Sequence, residues 1–276
     1  MSKLSIITIN RNNAEGLKRT LDSVKSQTCQ EFEHIIIDGA STDGSVEIIK
    51  EYVHQLEIGD RKLEFYWVSE PDGGVYQAMN KGIRKAKGEY CLFLNSGDFL
   101  IAPDVLERVF TQDIKADIIN ARCNVSNNGK VVWTTPYLPK VTLKDLYFVG
   151  LPHQSTFIRR SLFTIYGMYR EDFRYNSDIA FWYKTIVIGD ATTSGLNTIT
   201  TDYNLDGISS KEAQTDEYKR EETEIFSQGF LPKVLPDYEL WKEERCVWSK
   251  YSWIDQHVGL QKMLRIYRKF CKHIGK

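Results

Sequence analysis

Four short apolar runs punctuate the first 95 residues, and each gives way to a polar turn. Leu4 to Ile9 is followed by Asn10, Asn12 and Asn13, then by Leu17, Leu21 and Val24 at helical spacing. His34 to Asp38 leads through Gly39 to Gly44 into Val46, Ile49 and Val53 on one helical face. Leu63 to Ser69 leads through Glu70-Pro71-Asp72-Gly73-Gly74 into Val75, Met79 and Ile83, and Tyr90 to Leu94 supplies the last run. The pattern reads βαβαβαβ. Apolar strands separated by helices of about a dozen residues imply an α/β fold with a mainly parallel sheet covered on both faces. Right-handed crossovers bring the turns to one edge, beyond the carboxyl ends of the strands, where Asn10, Asp38, Asp72 and Asp98 all fall. Four polar strand ends on one edge mark a site, although each alone is also an ordinary solvated turn residue.

The second half is less regular. Ile118 to Cys123, Val131 to Thr134 and Ser155 to Ile158 read as strands of a mixed sheet, and Thr142 to Phe148 and Asp178 to Val187 as short helices. Ser209 to Glu224 reads as an exposed helix or mobile lid, and Pro232 to Pro236 interrupts the chain before a C-terminal element. The expected organisation is a body over 1–210, in two halves (1–100 and 101–210), followed by a helical extension over 211–276.

A net charge of -1 over 276 residues conceals an asymmetry, because Lys262, Arg265, Arg268, Lys269, Lys272 and Lys276 stand without an acid among the last 18 residues. Between them, Leu260, Met263, Leu264, Tyr267, Phe270 and Cys271 repeat as the apolar side of an amphipathic helix. Such a helix fits anionic inner-leaflet lipid, its own domain or the mate of a homodimer. No stretch approaches eighteen apolar residues, and the start has no signal-peptide core, so a cytoplasmic protein is expected, peripheral to the inner membrane face through 257–276. Five cysteines without a CxxC pair suggest reduced thiols. The aromatic residues, 12% of the chain, are not interleaved with a basic stripe, which disfavours nucleic acid as a partner.

Neither GxGxxG nor GxxxxGK[ST] follows the first strand, so an ordinary dinucleotide-binding dehydrogenase and a P-loop ATPase are disfavoured. The turn after the second strand pairs Asp38 with Gly39, Gly44 and an N-cap candidate, Ser45. Asp38 can accept hydrogen bonds from a base edge or ribose, and Asp43 can do the same or cap the turn. Asn95-Ser96-Gly97-Asp98 ends a buried strand in a short loop, where one carboxylate is enough to fix a hard divalent cation that a diphosphate also ligates.

Thr8-Ile9-Asn10, IIIDGASTDGS from Ile35 to Ser45, SEPDGGVYQAMNKGI from Ser69 to Ile83 and GEYCLFLNSGD from Gly88 to Asp98 resemble, in order and spacing, family 2 glycosyltransferases. The likeness covers roughly residues 3–210 and is nearest to the bacterial branch that builds capsule, exopolysaccharide or lipopolysaccharide glycans. It implies the GT-A fold over 1–210, with 1–100 as the nucleotide-binding half and 101–210 as the acceptor-side half, a nucleotide-diphosphate sugar (a UDP-sugar first among them) with Mn2+ or Mg2+, and inverting transfer to a glycan or lipid-linked acceptor. On that resemblance Thr8, Asn10, Asp38 and Asp72 line the nucleotide pocket, the Gly73-Gly74 turn allows close approach, and Asp98 is the metal-binding acid. Asn95 stands where many members carry an acid, and Met79-Asn80 where many carry an arginine, leaving Arg11, Lys81 or Arg84 as the phosphate cation. His153, in Leu151 to Arg160, contacts the metal or diphosphate, or packs the acceptor wall; Arg159 and Arg160 decorate the start of the next helix. Asp178 is the implied general base, with an N-cap role compatible, and Gly207 and Ser209 form a late turn near the diphosphate. A sugar-phosphate nucleotidyltransferase and an inactive carbohydrate-binding protein are the alternatives.

Overall fold

The computed structural model describes residues 3–59, 63–205 and 215–227, with 233–234, 236–237 and 240–241. The expected turn at Gly207 and Ser209 and the basic segment 257–276 lie outside the described residues. The chain divides into two compact units, Met1–Ile225 and Phe226–Lys276. Among the described residues no helix is long and apolar enough to cross a membrane.

The βα alternation is present as read. Strand β1 (Leu4–Asn10) leads to α1 (Ala14–Lys25), β2 (Phe32–Asp38) to α2 (Ser45–Ile58), and β3 (Glu64–Ser69) to α3 (Val75–Lys85), before β4 (Tyr90–Phe93). These four strands are parallel, in the spatial order β3-β2-β1-β4. Ile6, Ile7, Ile35, Ile36, Ile37, Leu92 and Phe93 are fully buried, as strands sandwiched between helices must be. On one face Leu17 and Leu21 of α1 and Ile49, Tyr52 and Leu56 of α2 pack around Ile36. On α3, Gly82 lies so close to Ile7 that a Cβ there would collide with the isoleucine side chain.

Beyond β4 the sheet becomes mixed. The chain adds β5 (Phe99–Leu100), α4 (Val105–Phe110), β6 (Ile118–Asn127), β7 (Lys130–Thr134), α5 (Leu143–Phe148), a 3-10 turn at His153–Ser155 and β8 (Thr156–Arg159). Then follow α6 (Ser161–Ile165), α7 (Ser177–Trp182), β9 (Thr193–Asn204) and α8 (Asp216–Phe226). The order runs β4-β8-β6-β9-β5, with β7 paired to β6. Because β8 is antiparallel to β4, it is the start of β8 that sits beside the ligand-facing end of β4. That reversal delivers His153 to the edge.

Several details depart from the sequence reading. The helix read over Asp178 to Val187 starts at Ser177 and changes to π geometry over Tyr183–Ile188, where the Thr185 hydroxyl donates to the Phe181 carbonyl at 2.8 Å. Ser45 is not an N-cap acceptor: its hydroxyl donates to Asp43 Oδ1 at 2.6 Å. Asp43 accepts instead, from Ala14 N at 2.8 Å and Ser45 N at 3.2 Å, and so fastens the starts of α1 and α2 together. The described part of the polar segment read as an exposed helix or lid is α8, which buries Glu221 and Ile225, one turn apart, against the body. Strand β9 was not anticipated, because its buried Thr200, Thr201 and Asp202 are polar and show no apolar alternation.

Candidate active site

The carboxyl ends of β1, β2 and β3 are in register, so that Asn10 pairs with Asp38 and Asp38 with Ser69 across neighbouring strands. Asp38 is the hub of this row. Its Oδ1 accepts from Asn10 Nδ2 at 2.7 Å and the Ser41 hydroxyl at 2.6 Å, and its Oδ2 from the Ser69 hydroxyl at 2.6 Å and Ser41 N at 2.9 Å. Burial alone would raise its pKa, but the hydrogen bonds from Ser41, Ser69 and Asn10 outweigh it and hold the carboxyl below its usual value. Asp72, on the next turn, accepts from Gly74 N at 3.1 Å, and its Oδ2 lies where a Cβ on Gly39 would sit. Gly39 is therefore glycine for space, whereas Gly74, at φ 141°, is glycine for backbone conformation. Gly73 is exposed and donates its N–H to Gln77 Oε1 at 2.6 Å.

Thr8 is placed elsewhere. It is fully buried, with its hydroxyl 3.0 Å from His34 Nε2, and His34 Nδ1 lies 2.8 Å from the Tyr52 hydroxyl. Burial pushes the His34 pKa down to about 3, so this inner triad is neutral. Of the three candidate phosphate cations, Lys81 is paired to Glu70 at 2.8 Å and Arg84 to Glu171 at 3.4 Å. Arg11 is exposed, runs past Gly39 beside Asp72 and has no ion pair among the described residues. Asn80 is buried, with its amide donating to the Tyr169 carbonyl at 2.8 Å and to Glu171 Oε1 at 3.0 Å.

The loop after β4 is strapped to α1. Asn13 Nδ2 donates to the Ser96 carbonyl at 2.9 Å, while the Thr20 hydroxyl accepts from Gly97 N at 2.9 Å and donates to the Asp98 carbonyl at 2.7 Å. Asp98 is buried, and its pKa is pushed up to about 7, chiefly by burial with the charge of Asp202 adding, against the opposing effects of His153 and a hydrogen bond from the Asn95 backbone. A bound cation would relieve that cost. Asn95 Oδ1 is buried without a hydrogen-bond partner, a hard oxygen of the kind Mg2+ and Mn2+ prefer. No three His, Cys, Asp or Glu side chains gather tightly enough to hold a metal unaided among the described residues. The donor set thus fits a cation fixed by Asp98 and Asn95 and completed by ligand oxygens.

His153 joins this loop to the start of α7. Its Nε2 lies 3.1 Å from Asn95 Nδ2 and its Nδ1 3.1 Å from Asp178 Oδ2. The contacts suit the Nδ1–H tautomer, with Nε2 accepting. Burial lowers its pKa, but the hydrogen bond and charge of Asp178 and the charge of Asp98 prevail and raise it above the ordinary value. Asp178 Oδ1 accepts from Ile179 N at 2.9 Å and lies 3.0 Å from the Tyr76 hydroxyl, which also meets the Tyr175 carbonyl at 2.6 Å. Asn176, not Asp178, occupies the N-cap position of α7. Asn95, Asp98, His153 and Asp178 therefore form one continuous cluster. Tyr76 touches Asp178, Ser41 and Ser69 touch Asp38, and Asp202 acts on Asp98 by its charge. None was singled out by sequence, because a helix tyrosine, turn serines and an acid inside a polar strand carry no distinguishing pattern.

A four-stranded parallel half with polar ends on one edge, joined to a mixed half carrying the buried acid, defines a GT-A nucleotide-diphospho-sugar transferase fold. The family model described as "Glycosyl transferase family 2" matches residues 5–174, and the chain belongs to that family and is a transferase acting on sugars. An uncharacterized glycosyltransferase of Mycobacterium tuberculosis is 33% identical over 202 residues, spanning 69% of this chain and 71% of that protein. A PGL/p-HBAD biosynthesis glycosyltransferase of Mycobacterium bovis is 30% identical over 208 residues, spanning 72% and 76%. Among solved structures, S. aureus TarS 1-349 in complex with UDP-GlcNAc superposes with a TM-score of 0.66 at 20% identity, over 82% of this chain and 66% of that one. The mannosyltransferase PcManGT from Pyrobaculum calidifontis, in complex with GDP-Man and Mn2+, gives 0.63 at 15% identity, over 86% and 69%. The chain spans 60% of TarS 1-349 in its UDP complex.

Proposed function

We propose that the protein is an inverting glycosyltransferase that moves a sugar from a nucleotide diphosphate, a UDP-sugar first among the candidates, to a hydroxyl of a glycan or lipid-linked glycan in surface-polysaccharide synthesis. The observation that carries this reading is the continuous cluster Asn95, Asp98, His153 and Asp178 at the end of β4, beside the Asn10-Asp38-Ser69 row. Asn10, Asp38, Asp72 and the Gly73-Gly74 turn hold the nucleoside, with Thr8 supporting β1 from within. Arg11 is the cation left for a donor phosphate. Asp98, with Asn95 beside it, would hold Mn2+ or Mg2+, which would supply charge neutralisation for a leaving diphosphate. Asp178 takes the acceptor proton, and His153 keeps its carboxylate oriented.

Screening UDP-GlcNAc, UDP-glucose, UDP-galactose and GDP-mannose for Mn2+-dependent nucleotide release tests the reading. One donor is expected to be consumed, with Arg11→Ala raising its KM about tenfold through the lost charge-assisted contact. Release from none of them with glycan and lipid-linked acceptors present would reject the proposal.

For the basic segment 257–276 we propose peripheral contact with an anionic membrane. Deleting it is expected to reduce sedimentation with phosphatidylserine liposomes while sparing nucleotide release. Equal sedimentation of the full and shortened chains would reject membrane contact.

A further inference from the structure

Glu221 is a glutamate on a helix rich in charge, yet it is completely buried. Its Oε1 accepts from Arg174 N at 2.5 Å, and its Oε2 from Tyr175 N at 3.0 Å and Asn176 N at 2.9 Å. Three successive backbone N–H groups thus converge on one carboxylate, the concave arrangement by which backbone binds anions. Burying a carboxylate is costly unless it is saturated with donors in this way. The expense is incurred at a telling place, because Arg174 to Asn176 is the segment immediately before α7 and two residues from Asp178.

The same segment is gripped twice more. Asn176 Nδ2 donates to the Tyr218 carbonyl of α8 at 3.2 Å. From the opposite side, the Tyr76 hydroxyl of α3 touches both the Tyr175 carbonyl and Asp178 Oδ1. Helix α8 itself is tied to the neighbouring loop by the ion pair between Arg170 and Glu224. A loop that only closed the surface would need none of these contacts, since water would satisfy its amides.

We infer that Glu221 is a positioning residue for the transfer reaction: by binding the amides of residues 174–176 it fixes where the Asp178 carboxylate stands relative to the acceptor hydroxyl. This rests on the proposed role of Asp178 as base. Small displacements of a proton-accepting group are expensive in rate, with roughly 1 Å costing on the order of 100-fold. Donor binding, at the β1 to β4 edge, does not depend on the clamp.

Glu221→Gln preserves volume but sets an NH2 where one oxygen accepts, so at least one amide loses its partner. In the full-length protein, hydrogen exchange at the amides of 174–176 is expected to accelerate at least about tenfold. With the donor found in the screen, kcat falls about 10- to 100-fold and donor KM stays within about twofold. Combined with Asp178→Asn, the same substitution changes turnover less than about twofold, because there is no longer a base to position. Glu221→Asp, charged but one methylene shorter, gives an intermediate loss and serves as the test if the glutamine variant does not fold. Unchanged exchange at 174–176, or a kcat like that of the unaltered protein, overturns the inference, as does an equal loss with and without Asp178. Full activity in Asp178→Asn overturns the base assignment and this inference together. Loss in Asp178→Asn alongside full kcat in Glu221→Gln overturns the inference alone.

Discussion

Replacing Asp178 by Asn is expected to lower sugar transfer by roughly 100- to 10,000-fold, the range that a positioned general base contributes. Nucleotide-sugar affinity is expected to stay within about twofold, because Asp178 lies on α7 while the row proposed to hold the nucleoside lies at the ends of β1, β2 and β3. The substitution suits the question because Asn keeps the size of the side chain, and its oxygen can still accept from Ile179 N. It removes the capacity to take a proton and, with that oxygen kept on Ile179, sets an NH2 toward His153 Nδ1 3.1 Å away, so the imidazole loses its acceptor as well. Single-turnover transfer with bound donor separates the chemical step from binding. Transfer at the unaltered rate would exclude Asp178 as base and direct attention to the imidazole beside it.

Replacing Asp98 by Ala is expected to abolish metal-dependent turnover, a loss of at least about 100-fold given the several kcal/mol that a metal contributes to transition-state charge stabilisation. Chelation should silence the unaltered protein and added Mn2+ restore it, whereas the variant responds to neither. Calorimetric binding of Mn2+ in the presence of UDP supplies a readout independent of turnover and should vanish with Asp98. Retained Mn2+ binding in the variant would reassign the cation to other oxygens, and retained turnover would remove it from the reaction. The Thr20 hydroxyl and Asn13 amide hold the loop through main-chain atoms, so the fold around position 98 survives the change.

The parallel half was legible because physics leaves few options for apolar runs that end in Asn or Asp. Ile35 to Ile37, a run without alternation between apparent helices, fit a covered parallel strand, and Asp38 then emerges at its carboxyl end. The mixed half was harder to read. Strand β9 buries Thr200, Thr201 and Asp202, whose polarity hides the period of two that marks a strand. Glu221 was invisible for a similar reason: its donors are backbone amides 45 or more positions away in the chain, and no side-chain pattern reports them. Asn10, Asp38 and Asp98 were legible as polar strand ends and His153 and Asp178 by likeness of motif, but that His153 bridges Asn95 and Asp178 is a fact of antiparallel β8, which no local signal encodes.

The Asn10-Asp38-Ser69 row also proofreads the sheet. Sliding β3 by one residue against β2 would set Val68 or Glu70 opposite Asp38. The buried carboxylate would then lose a hydroxyl donor or face a second charge, and the strand's side chains would change faces. A misaligned sheet is therefore penalised at the residues that would meet the nucleoside, so a chain that has assembled its donor edge has already counted its strands correctly.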